Sequence, residues 1–109
     1  MNQQERDKYL EIKWTGPGWK SLIKELDSKL SELDPNYRIE QVKEKFGGLR
    51  YYIFSDSENT DKMYDLEVEY ERKSFKICEY CGSKEDVTTE GSWLKTFCKN
   101  CRTSDGPRC

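Results

Sequence analysis

Two cysteine pairs constrain this chain more than any other feature. Cys78 and Cys81 form one C-x2-C, Cys98 and Cys101 form a second, and sixteen residues separate them. A C-x2-C turn aims two thiolates at one point, and two such turns complete a tetrahedral four-sulfur shell. The pattern predicts a metal site built from Cys78, Cys81, Cys98 and Cys101, holding one Zn2+ per chain. An iron–sulfur cluster would use the same four residues, and a redox role needs only one pair; two pairs at this spacing favour zinc ligands. Four protein ligands leave no open coordination position, so the expected role of the ion is structural. Gly82 follows the first pair, where a tight knuckle needs an unhindered residue. Val87, Trp93, Leu94 and Phe97 lie between the pairs and predict short strands over the site, giving a zinc-ribbon module over residues 77–109. The fifth cysteine, Cys109, is the last residue and reads as an untethered tail.

A metal staple suits the rest of the composition. The chain has 109 residues, 34% hydrophobic and 37% charged, which is lean for a self-sufficient core. No apolar run is long enough to span a bilayer and the start lacks a signal-peptide pattern, so the expected location is cytoplasmic. In a reducing compartment, five cysteines are better explained by metal than by disulfides. The net charge of −2 argues against a global field for nucleic acid, but charge is segregated along the chain. Residues 37–54 carry four bases against two acids, residues 55–71 seven acids against Lys62 alone, and the part from Arg72 onward eight bases against five acids. Segregation of this kind favours a charge-specific ligand or self-association.

The pattern before the cysteines is α+β. Residues 1–15 are polar and read as a short helix or arm, broken by Thr15–Gly18. Trp19, Leu22, Ile23, Leu26, Leu30 and Leu33 form one apolar stripe, predicting a helix from Gly18 to Leu33 that Asp34-Pro35-Asn36 ends. Residues 37–54 predict a β-hairpin, and a second helix follows over Asp61–Phe75. That helix has two stripes, Met63/Leu66/Tyr70/Ile77 and Tyr64/Val68/Phe75. They read either as one wide core face or as one face on the core and one on another subunit. The expected organisation is an α+β ligand-binding part over residues 1–76 with the zinc ribbon packed on it as one compact domain.

The hairpin carries the most unusual string, Val42-Lys-Glu-Lys-Phe-Gly-Gly-Leu-Arg-Tyr-Tyr-Ile53. Gly47-Gly48 can supply the positive φ angles of a two-residue turn. That turn pairs Phe46 with Leu49, Lys45 with Arg50, Glu44 with Tyr51 and Lys43 with Tyr52. Alternation then divides the strands into two faces. Val42, Phe46, Leu49, Tyr51 and Ile53 belong on the core, with Glu44 as the one charge among them. Lys43, Lys45, Arg50, Tyr52 and Phe54 lie on the other side. Like charges facing each other destabilise a hairpin. The cations are therefore either neutralised by the acidic helix or used to grip an anion, with Tyr52 or a tryptophan stacking a base.

Gly18-Trp19, the Gln41–Tyr52 string, Cys78–Gly82 and Trp93–Cys101 together resemble a widespread group of small phage-encoded proteins, over residues 18–101. The resemblance extends to the phage anti-CBASS sponges, which bind the cyclic oligonucleotide signals of bacterial defence without cutting them. It implies an immune-evasion protein, phage-encoded and acting in the bacterial host cell, with Lys43, Lys45 and Arg50 on the ligand phosphates. Gly47, Gly48, Tyr52, Trp93 and Lys95 are the further candidate ligand-binding residues. An enclosing pocket would need more than one hairpin, hence the expectation of a homo-oligomer. The chain departs from the group in having Gly91-Ser92-Trp93 before Leu94 and a polar tail after Cys101, which leaves Trp93 as either a lid over the metal or a stacking platform. The alternative function is a zinc-ribbon protein binding nucleic acid or a host protein through Lys95, Lys99, Arg102 and Arg108. An enzyme is not expected: the chain has no histidine and no G-x-S-x-G or P-loop.

Overall fold

The computed structural model describes residues 2–11 and 15–102. The order is α1 (Gln3–Glu11), a 3-10 turn (Pro17–Trp19), α2 (Lys20–Leu33), β1 (Arg38–Lys45), β2 (Gly48–Phe54), α3 (Thr60–Ser74), β3 (Val87–Glu90), β4 (Lys95–Cys98) and α4 (Lys99–Arg102). The architecture is α+β with two separate antiparallel hairpins, β1–β2 and β3–β4. Cys109 and residues 12–14 lie outside the described residues. No helix among the described residues is long and apolar enough to cross a membrane.

The α2 stripe behaves as its spacing requires. Leu22, Ile23, Leu26 and Leu30 are buried with Trp19, against Ile39, Val42, Leu49, Tyr51 and Ile53 of the first hairpin and Met63 and Tyr70 of α3. Asp34 ends α2: its N–H reaches Leu30 O at 2.9 Å, and its carboxylate accepts the Asn36 N–H at 2.9 Å and the Ser55 hydroxyl at 2.6 Å. The chain therefore turns tightly into β1.

The sequence pattern does not explain the docking of α1, which has no apolar stripe. A buried polar network holds it, with Tyr9 and Leu10 packed at the edge of the core. The Arg6 guanidinium pairs with Asp27 of α2 at 3.2 Å, donates to Pro35 O at 2.9 Å and lies 4.8 Å from the centre of the Tyr37 ring. The Tyr37 hydroxyl donates to Asp27, and the Tyr51 hydroxyl lies 2.6 Å from it. The one Tyr37 proton goes to Asp27, so Tyr51 is the donor to Tyr37. Burial holds both phenols well above their ordinary pKa. Charge is tolerated here because each buried group meets a partner.

The hairpin register differs from the expected one. Lys45 pairs with Gly48, Lys43 with Arg50, Glu44 with Leu49 and Val42 with Tyr51. The turn is Phe46-Gly47, with φ of 55° and 87°, the signature of a type I′ turn. Moving the turn by one residue moves every partner by two, so the two faces stay as expected. Phe46 is the exception: expected in the core, it sits in the turn and is 64% exposed. A bulge between Ile39 and Gln41 completes the inner face. Ile39 and Val42 are three residues apart and cannot share a side of a regular strand; one extra residue lets both point inward.

Candidate metal centre and binding surface

The four cysteine sulfurs lie within 4.8 Å of one another and could hold a metal ion. Cys78 Sγ is 3.5 Å from Cys101 Sγ, and Cys81 Sγ is 3.7 Å from Cys98 Sγ. Four thiolates 2.3 Å from a central zinc are about 3.8 Å apart, so the donor set fits such an ion after small adjustments. Backbone amides support the thiolate form: Cys81 N–H lies 3.5 Å from Cys78 Sγ, and Ser83 N–H 3.4 Å from Cys81 Sγ. Burial opposes ionisation of Cys78, but backbone hydrogen bonds from Cys81, Cys98 and Tyr80 outweigh it and lower its pKa.

The cysteine module is joined to the helices and first hairpin at two places. At the first knuckle, Gly18 N–H donates to Glu79 O at 2.7 Å, Gly16 N–H to the Glu79 carboxylate at 2.8 Å, and the Trp19 indole N–H to Ile77 O at 2.9 Å. At the second, the turn of β1–β2 rests on β3–β4. The Thr96 hydroxyl donates to Gly47 O at 2.5 Å, and Glu44 accepts both the Gly47 N–H at 2.8 Å and the Lys95 ammonium at 2.7 Å. The Gly-Gly pair has a packing role here. A Cβ on Gly47 would lie 2.5 Å from Thr89 Cγ2, and one on Gly48 would lie 2.6 Å from Phe75 Cζ.

The eight candidate ligand residues divide accordingly. Gly47 and Gly48 are buried in these contacts, Lys95 is paired with Glu44, and Arg50 is paired with Glu71 of α3 at 3.2 Å. The acidic helix thus neutralises one of the hairpin cations. Lys43 and Lys45 make no ion pair within 4 Å among the described residues. Tyr52 is exposed, and Trp93, in the turn between β3 and β4, is 80% exposed. Leu94, beside Trp93, has its carbonyl carbon 3.8 Å from the Cβ position of Gly47, so the two turns adjoin. Phe46, Trp93 and Leu94 stand on these adjoining turns, all exposed, with the Lys45 ammonium 5.5 Å from the centre of the Phe46 ring. A cleft of about 430 Å³ lies elsewhere and is lined by Tyr9, Arg38, Ile39, Glu40 and Phe54. None of the eight candidates lines it. Sequence reasoning missed Phe46 as a surface residue because its parity put it on the core face; the turn, which takes it out of the strand, is what exposes it.

Comparison with known protein families, curated proteins and solved structures finds no match to this chain.

Proposed function

We propose that the protein is a non-catalytic binding module for a nucleotide-type anion, held at the adjoining turns of its two hairpins, with a structural zinc ion on the four cysteines. Phe46 carries the reading. It occupies a left-handed position that a bulky side chain adopts only at a cost of order 1 kcal/mol or more, and type I′ turns favour asparagine there. Burial does not repay that strain, since the ring is 64% exposed. Trp93 stands exposed on the neighbouring turn, and Lys45 has no acidic partner within 4 Å among the described residues. Exposed aromatic rings beside a free cation are the parts needed to stack a base and hold its phosphate.

Within this reading the ligand is a cyclic oligonucleotide defence signal, bound and sequestered intact, as the sequence resemblance implies. A second reading, single-stranded nucleic acid, is favoured by the openness of the two turns, which enclose nothing by themselves. Calorimetry with cyclic di- and trinucleotides, beside short oligo-dT and oligo-U, separates the two. Trp93→Ala and Lys45→Ala are expected to weaken binding at least tenfold while leaving the thermal midpoint unchanged. Phe46→Asn is expected to weaken binding and raise stability by about 1 kcal/mol, because it relieves the turn. No binding of any of these ligands by the zinc-loaded chain would sink the proposal.

A further inference from the structure

A second exposed surface lies away from the turns. α3 runs antiparallel along β2 and closes its edge: the Leu49 N–H donates to Ser74 Oγ at 2.9 Å, Arg50 pairs with Glu71 at 3.2 Å, and the Ile53 N–H donates to Glu67 at 2.9 Å. Gly48, Arg50, Tyr52 and Phe54 share the outer side of β2, and the Cβ position of Gly48 points at the Phe75 ring. The flank of α3 bearing Glu71 and Phe75 therefore borders that outer side. Tyr64 and Val68 stand on the same flank, seven residues before each of them, a spacing that brings a helix back to the same side. Tyr52, Phe54, Tyr64 and Val68 thus form one surface of large exposed side chains, Tyr64 at 42% and Val68 at 50%.

Two diagonally opposite corners of this surface carry opposite charge. Lys43 lies across from Arg50 on the far strand, at the Gly48 end. Asp61 and Asp65, both exposed, lie at the start of α3, at the Phe54 end. A twofold axis lying in the plane of the surface, perpendicular to that diagonal, sets each basic corner on the acidic corner of a second copy and the apolar centres on each other. We infer that two copies of this chain pair through the Tyr52–Phe54–Tyr64–Val68 surface, with Lys43 of each facing Asp61 and Asp65 of the other. Such a pairing is isologous and self-complementary. The surface is roughly 23 Å long and about 15 Å wide from strand and sheet spacings. With side-chain relief, pairing buries about 1,000 Å² over both copies, the lower limit for specific association, so the dimer is concentration-dependent.

Sedimentation velocity on the reduced, zinc-loaded full chain tests this. The expected result is a mass that rises from 13.0 kDa toward twice that value over micromolar to submillimolar concentrations. Val68→Asp should weaken association at least tenfold without lowering the thermal midpoint of the dilute protein, since the side chain is exposed. Lys43→Asp and Asp65→Lys should each weaken it, and an equimolar mixture of those two variants should recover part of the loss. A single monomer mass throughout, or a Val68→Asp chain that associates like the parent, overturns the inference. Phe46→Asn should leave association unchanged, which keeps the failure of this inference distinct from the failure of the ligand reading.

Discussion

At Ile53 the backbone N–H of β2 is satisfied by a carboxylate rather than by another strand, and that carboxylate has an unusual titration. Burial of Glu67 pushes its pKa up from 4.5 to about 7, the Ile53 N–H opposing this and the charge of Glu40 adding to it. A folded pKa above the unfolded one means that the fold favours the protonated form. The contribution to stability is therefore full below about pH 4.5 and is lost as the pH rises through about 7. Burial raises Glu79 as well, so it adds a slope of the same sign. The chain has no histidine, but thiolate ligation of the metal strengthens with pH over the same window. The Glu67 contribution to the thermal midpoint is expected to fall between pH 5 and 8, against that rise. Glu67→Gln keeps an oxygen for the Ile53 N–H and cannot ionise, so it should flatten the fall and raise the midpoint at pH 8. Melts of both proteins across that range check this; an unchanged slope would mean that Glu67 is not its source.

At the scale of elements, the first hairpin shows what a pattern of residues fixes and what it leaves open. Its two glycines do different things, and substitution separates them. Gly47 has φ 87° and faces Thr89, whose hydroxyl is held 2.6 Å from that of Thr96, so a methyl group meets both backbone strain and a fixed neighbour. Gly48 has ordinary backbone and faces the end of the Phe75 ring, a side chain that can swing away. Gly47→Ala is expected to cost about 1–3 kcal/mol in urea unfolding and Gly48→Ala less. Phe75→Leu should recover part of the Gly48→Ala loss and none of the Gly47→Ala loss. Alternation made the faces of this hairpin legible from the sequence, because a two-residue slip in pairing preserves them. The turn was not legible: Gly47-Gly48 is the more usual pair for it, and what moves it to Phe46-Gly47 is the contact of both glycines with β3–β4 and α3. The same limit hid the docking of α1. Periodicity detects apolar stripes, and α1 is held by Arg6 on an Asp27 that sits within the apolar face of α2. The cysteine spacing was legible because ligand geometry is local to each C-x2-C.

At the scale of the whole molecule, the metal site and the core are expected to unfold as one cooperative unit. The first knuckle receives hydrogen bonds from Gly16, Gly18 and Trp19, and Trp19 is fully buried among the residues of α2 and the first hairpin. The β3–β4 hairpin that brings in Cys98 also seats the turn of β1–β2 through Thr96 and Lys95. Losing the metal therefore removes support from both ends of the α+β part rather than fraying a tail. A structural zinc contributes on the order of 10 kcal/mol to folding, comparable to the whole stability of an ordinary domain at about 5–15 kcal/mol. Zinc removal by a strong chelator in reducing buffer, or Cys78→Ser, is expected to abolish the single unfolding transition. It should also strip hydrogen-exchange protection from α2 and β2 as well as from β3 and β4. Protection that persists in α2 and β2 after chelation would show that the α+β part folds alone and the ribbon is an appendage. The buried Trp19 indole, bonded to Ile77 O at 2.9 Å across the junction, argues for the cooperative outcome, because freeing that carbonyl also orphans a donor in the core.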